Sequence, residues 1–243
     1  RPSAGWYESS LYFDKLVKAG VGQKALERVL RKVGQRKAKS GKYTMVVDPM
    51  NVSQLLSPLV DALYGSSLQQ KNSFLLEKVL ADKMTLIDEP HLQQASGARY
   101  FDSEGVATER RPVFENGVLK TYFIDTYNAR KMGVSPTINS PSILVMQTGL
   151  KDLDGLVAGV DHGILVTGFN GGNCNSSTGD FSYGIEGFLI ENGKLTQPGS
   201  EMNVTGNMLT LWSALSETGN DPRLSSSWRI PSLVFEGVDF SGL

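Results

Sequence analysis

Phe181-Ser-Tyr-Gly-Ile-Glu-Gly-Phe-Leu-Ile-Glu-Asn-Gly-Lys-Leu195 alternates apolar residues with polar or small ones and then meets Glu191-Asn192-Gly193. Asn-Gly between two such runs marks a tight hairpin turn, because both turn positions take positive φ. The pattern returns at Val113-Phe-Glu-Asn-Gly-Val-Leu119, inside a hairpin predicted over 110–125. An internal duplication or turn chemistry would produce the likeness, and one matched turn favours turn chemistry. Working outward, short apolar runs at 43–47, 84–87, 142–146, 163–167 and 232–238 read as further strands. The glycine-rich run 168–179 reads as a structural turn. It lacks Gly-Lys-Ser/Thr, and a strand follows it where a phosphate loop would run into a helix.

Helical spacing dominates the other end. Residues 10–33 read as an amphipathic helix capped by Ser9 or Ser10 and interrupted at Gly20 and Gly22. Further helices are expected over 52–63, with Pro58 at its first turn or as a kink, over 66–80 behind Ser66 or Ser67, and over 207–218. Helices first and strands afterwards argue for an α+β fold. The expected architecture is N-terminal helices followed by a mostly antiparallel sheet or barrel-like core with interspersed helices. Residues 1–243 are expected to form one compact unit, with a helical segment 1–80 and a β-rich segment 81–243.

Composition narrows the function classes. The 243 residues carry 24 Lys+Arg against 25 Asp+Glu, so no global charge draws the chain to nucleic acid or an acidic membrane. No apolar run approaches the roughly 20 residues of a membrane helix. The single cysteine, Cys174, excludes an internal disulfide and fits a reducing, cytoplasmic setting. Seven cations between Arg28 and Lys42 form a local basic cluster, read as a solvated face or partner surface and not as a nucleic-acid site.

Chemistry-bearing groups are sparse. The two histidines, His91 and His162, and Cys174 stand far apart in sequence, without His-Glu-x-x-His, Cys-x-x-Cys or His-x-His. His162 reads as a turn histidine bonded to Asp161, and His91 as a surface residue. Cys174 in a glycine-rich loop is a weak candidate nucleophile. Asp102 and Glu104 form either an acid–base pair or a turn tied to its own backbone. Asn173, Cys174, Asp180, Asp102 and Glu104 are the candidate contacts to a peptide or partner.

Several longer motifs carry a resemblance. Arg99-Tyr-Phe-Asp-Ser-Glu-Gly-Val-Ala-Thr-Glu-Arg-Arg111, the Glu-Asn-Gly hairpin and Tyr127-Asn-Ala-Arg-Lys-Met-Gly133 resemble the PmbA/TldD family of zinc-protease-related proteins. Ser176-Ser-Thr-Gly-Asp-Phe-Ser-Tyr-Gly184, Phe188-Leu-Ile-Glu-Asn-Gly193 and Thr205-Gly-Asn207 continue it in the family's order. The resemblance covers nearly the whole chain and matches the family's C-terminal half. It implies an N-terminal α/β domain ahead of Arg1. It also implies a TldD kind with His-Glu-x-x-x-His after a Leu-Leu pair and a late cysteine as third zinc ligand. Here Leu55-Leu56 is followed by Ser57, Pro58 and Ala62 at the His, Glu and His positions, and Ser225-Ser-Ser-Trp228 holds no cysteine. The chain therefore resembles the companion, PmbA (TldE) kind. What this implies is a non-catalytic subunit that binds no zinc itself. The metal would sit in a TldD-like catalytic partner, unfolded peptides would be the substrates, and a homodimer is an alternative assembly. The rivals are a peptidase of another mechanism and a DNA gyrase-linked regulatory binding protein.

Overall fold

The computed structural model describes residues 2–75 and 79–243. Its centre is a closed five-stranded barrel built from β1 (Gly41–Val47), β6 (His162–Cys174), β7 (Asp180–Glu191), β8 (Lys194–Asn207) and β11 (Leu233–Ser241). β1 runs parallel to β6 and antiparallel to β11, which closes the ring. A further strand, β9 (Leu215–Thr218), extends it on β11. A second sheet holds β10 (Trp228–Arg229), β5 (Leu144–Met146), β2 (Leu86–Asp88), β3 (Arg111–Glu115) and β4 (Val118–Leu119), in that order. The mixed α+β fold and its barrel-like core agree with the sequence.

Strand periodicity builds the core. Met45, Val47, Ile164, Val166, Phe181, Tyr183, Ile185, Leu233 and Phe235 point inward and join one buried cluster. Their neighbours Val46, Leu165, Phe188, Ile190 and Val234 point outward and are covered by helix α5 (Leu153–Ala158) through Leu156 and Val157. Helix α2 (Ser53–Ala62) places Leu55, Leu56, Leu59 and Val60 in the inner cluster, and its Leu55 carbonyl accepts the indole N–H of buried Trp212 at 3.3 Å. Burying side chains of this size contributes about 1.5–3 kcal/mol each.

Both Asn-Gly turns form as read, with Asn116 and Asn192 at φ 49°. Other boundaries move. The helix expected over 10–33 shrinks to a 3₁₀ turn at Phe13–Lys15 and α1 (Val21–Arg31), which starts on Gly20 at φ 79°. α1 turns Arg28 and Lys32 toward the barrel and leaves Leu26, Leu30 and Val33 exposed, because the two cations find buried or half-buried acids there. The helix expected over 66–80 is α3 (Gly65–Gln69), ended by Lys71 at φ 58°; residues 76–78 of that expectation lie outside the described residues. Residues 168–174, read as a turn, continue β6, and the turn proper is 175–179. The helix expected over 207–218 splits into α6 (Met208–Ser213), capped by the Asn207 side chain, and β9. Leu215 to Thr218 pair with β11, and that tertiary pairing overrides helical periodicity. α4 (Thr126–Met132), capped by Asp125, was not anticipated as an element.

Candidate functional site

α2 presents Gln54, Ser57, Pro58 and Asp61 on its outer side, spaced three to four residues apart, while its apolar residues face the core. Ser57 and Pro58 are half-buried and Ala62 is buried, so these three positions offer a hydroxyl, a proline ring and a methyl group. None is a zinc donor except a weak one at Ser57, and none can take a proton from water. Pro58 is the sixth residue of α2, past the first turn. Its missing N–H removes the bond that the Gln54 carbonyl would otherwise accept. The zinc that the family resemblance implies does not fit this set. Among the described residues, no three His, Cys, Asp or Glu side chains are grouped to hold a metal.

The end of the β6–β7 hairpin lies against this face. Burial pushes the Cys174 thiol up, and the carboxylates of Asp180 and Asp61 push it further. The thiol stays protonated at neutral pH, the opposite of an activated nucleophile. Its Sγ approaches the Asn175 carbonyl at 3.8 Å. Burial, with Cys174 and Asp61 nearby, pushes Tyr183 up to about 12 against a hydrogen bond with Gln54. The structure thus brings Cys174 and Asp180 together with Asp61, Gln54 and Tyr183. The last three were missed in the sequence, although the polar spacing of Gln54, Ser57 and Asp61 on α2 was a readable signal.

Asp180 is exposed, and hydrogen bonds from Asn207 and Thr178 hold its carboxyl below the usual range. Asn207 is a hub. Its Nδ2 donates to Asp180 Oδ1 at 2.9 Å and to the Thr178 carbonyl at 2.8 Å, and its Oδ1 accepts the Leu209 N–H at 3.0 Å. Asn175 Oδ1 accepts the N–H groups of Ser177 and Thr178, which shapes the turn. Asn173 is exposed on β6, paired with Ser182.

Asp102 and Glu104 lie on a separate loop. Asp102 is 4% exposed. Its Oδ1 accepts the N–H groups of Glu104 and Val106, both at 2.9 Å, and its Oδ2 that of Asn139 at 3.1 Å. Burial opposes its ionisation, but the three amides and Arg99 outweigh burial and lower the carboxyl below its usual range. Glu104 accepts the N–H and Oγ1–H of Thr126 at 2.9 and 2.8 Å, fastening the loop to the start of α4. This is the backbone-tied turn, with both carboxylates occupied. Tyr64 links the two regions, since it feels both Asp61 and Arg99.

The remaining candidates are engaged elsewhere. The His162 ring lies tilted against Tyr43, with centroids 4.6 Å apart, has no hydrogen bond to Asp161 among the described contacts, and sits at the far end of β6 from Cys174. His91 is exposed, meets Thr108 Oγ1 at 3.0 Å and lies tilted against the Tyr100 ring. Four of the seven cations of the basic cluster are in ion pairs: Arg28 with Asp48 at 3.3 Å, Lys32 with Glu186, Lys37 with Glu201 at 3.7 Å and Lys42 with Asp239 at 4.0 Å. An open polar cleft of about 820 Å³ is lined by Gln35, Asn170, Glu186, Glu201 and Asn203 and includes none of the α2 positions. Among the described residues no helix is long and apolar enough to cross a membrane.

Residues 40–242 match the family model described as the PmbA/TldA metallopeptidase C-terminal domain. The chain is 31% identical over 229 residues to a protein called metalloprotease PmbA from Escherichia coli O157:H7, covering 91% of this chain and 51% of that one. A crystal structure from Bacteroides thetaiotaomicron, described as a modulator of DNA gyrase, is 77% identical with a TM-score of 0.98, covering all of this chain and 56% of that one. TldE from Thermococcus kodakarensis, 24% identical over 94% of this chain and 56% of its own, shares the fold with a TM-score of 0.85. The chain spans about half the length of the curated relatives it matches. With the family model matching most of its residues, this chain belongs to the PmbA/TldD metallopeptidase family and carries that family's C-terminal domain.

Proposed function

We propose that this chain is a non-catalytic, PmbA (TldE)-type subunit of a heteromeric zinc metalloprotease acting on unfolded peptides. One observation carries the reading: α2 offers Ser57, Pro58 and Ala62 where the catalytic kind of member has its two histidines and glutamate. A hydrolytic zinc needs about three protein ligands and an open position for water, together with a nearby base. Neither donors nor base stand at these positions, so the zinc-activated water belongs to a TldD-like partner subunit. The chain's own part is to shape the peptide path. An extended peptide is held mainly by main-chain pairing, which tolerates varied sequences. The hairpin end with Asn173, Cys174 and Asp180 and the loop of Asp102 and Glu104 are the proposed contacts to peptide or partner. A cytoplasmic location goes with this reading, because a lone half-buried thiol suits a reducing compartment.

The test is zinc content after dialysis against metal-free buffer, paired with peptide cleavage by this chain alone and with a His-Glu-x-x-x-His paralogue. Zinc well below stoichiometric, with cleavage confined to the mixture, is the expected result. Stoichiometric zinc and cleavage by this chain alone would overturn the proposal.

A further inference from the structure

We propose that Asn170 is a site of spontaneous deamidation, selected by the fold from three Asn-Gly pairs. The chain holds Asn116-Gly117, Asn170-Gly171 and Asn192-Gly193. In each, the glycine nitrogen is the potential nucleophile. It attacks Cγ of the preceding asparagine, the N–Cγ bond forms, and the Cγ–Nδ2 bond breaks. The amide nitrogen leaves as ammonia, carrying the proton lost by the glycine N–H. Water then opens the five-membered imide at either carbonyl and leaves aspartate or β-linked isoaspartate. Water is the one co-reactant, and no electrons are exchanged with another molecule.

The geometry separates the three. The Gly117 N–H donates to the Met84 carbonyl at 2.8 Å, and the Gly193 N–H to the Val160 carbonyl at 2.9 Å. Both glycines are also packed. A Cβ on Gly117 would stand 2.3 Å from the Leu80 carbonyl oxygen, and one on Gly193 2.7 Å from that of Ala158. Attack at either turn requires breaking the bond and swinging the backbone out of its slot, which is a local opening. Gly171 is not packed in this way. The β6–β7 register shifts between Phe169 and Gly172, so neither Asn170 nor Gly171 has a ladder partner. Both are exposed, and a Cβ on Gly171 would meet nothing within 4 Å.

The product falls where it has consequences. Asn170 lines the polar cleft with Glu186 and Glu201, which are paired with Lys32 and Lys37, so deamidation adds a new carboxylate to the cleft. A β-linkage also lengthens the β6 backbone opposite Gly184, where a Cβ would already lie 2.4 Å from the Asn170 carbonyl oxygen. The lesion therefore sits in the hairpin that carries Asn173 and Cys174.

The experiment incubates the folded chain and the urea-unfolded chain in mildly alkaline buffer. Each Asn-Gly peptide is followed by mass spectrometry, with isoaspartate counted by enzymatic methylation. In the folded chain Asn170 is expected to deamidate faster than Asn116 and Asn192 by about tenfold or more, the factor set by opening a hydrogen-bonded turn. In urea the three rates should converge. Folded-state rates that are alike, or faster at Asn116 or Asn192, would overturn the proposal. So would an Asn170 that is protected when folded and reactive in urea.

Discussion

Replacing Asp102 by Asn keeps the shape of the side chain and exchanges one acceptor oxygen for a donor. The two carboxylate oxygens hold three main-chain amides at 2.9, 2.9 and 3.1 Å. An asparagine can leave its oxygen with Glu104 and Val106, but its NH2 group then faces the Asn139 N–H, donor against donor. One buried amide without an acceptor costs about 1–3 kcal/mol, and weakening two charge-assisted bonds to neutral ones costs roughly another 1 kcal/mol. The expected loss for Asp102→Asn is therefore about 2–4 kcal/mol, a large part of the 5–15 kcal/mol typical of a domain. Urea unfolding reads this as a lower midpoint at unchanged slope. A pH series adds a second readout. The folded carboxyl lies below its usual range, so its stabilisation is complete above the unfolded value of about 3.9 and is lost as pH falls through the folded one. The gap between parent and variant should hold at neutral pH and close in acid. A variant within about 0.5 kcal/mol of the parent at neutral pH would refute this account, because surface changes without a buried partner stay in that range. An acid–base role for the Asp102 and Glu104 pair would look different: activity lost with stability kept.

Asp88 behaves in the opposite way. Burial raises its carboxyl above the usual range against the bonds from Ser142 and Ile143, and both of those bonds reach one oxygen, Oδ1, at 2.8 and 3.0 Å. Asp88→Asn keeps that acceptor, so its stability at neutral pH should match or exceed the parent's. It should also remove the fall in stability that accompanies rising pH between the ordinary and the raised carboxyl values, as urea midpoints across that window will read. Asn207→Ala removes the cap of α6, expected to cost about 1 kcal/mol in urea unfolding. In the same variant the Asp180 carboxyl, held low by Asn207 first and Thr178 second, should titrate at a higher pH by NMR.

The sequence carried turns better than strand lengths, and the glycines explain why. Asn116-Gly117 and Asn192-Gly193 announced their turns through local chemistry alone. β6 and β8 reach 13 and 14 residues, well beyond the stretches read as strand, because glycines such as Gly168, Gly172 and Gly199 interrupt the alternation without ending the strands. Gly172 shows the cause: a Cβ there would stand 2.1 Å from the Ser182 carbonyl oxygen on the neighbouring strand, so the barrel itself demands the residue that hides the strand. Lys32 was hidden in the same way. Within the basic cluster it reads as one more surface cation, and its Glu186 partner lies 154 residues away.

The candidate site divides along the same line between local and long-range information. The motifs that carry the family resemblance are, in space, fastening points. Asp102 gathers three amides, Glu104 and Asp125 secure the start of α4, Gly133 closes that helix at φ 69°, and Asn207 joins the β7 turn to α6. Each works through neighbours fixed by backbone geometry, so the motifs transmit the fold strongly and say little about chemistry. The proposed non-catalytic role turns on three α2 positions that an isolated reading of this chain would pass over, since Ser57, Pro58 and Ala62 are ordinary helix residues apart from the proline. Beside them, Asp61 meets Cys174 and Tyr183 from more than a hundred residues away along the chain, which no local pattern records. Burial and the carboxylates of Asp180 and Asp61 push the Cys174 thiol up, so these surroundings favour the neutral thiol over an ionised nucleophile.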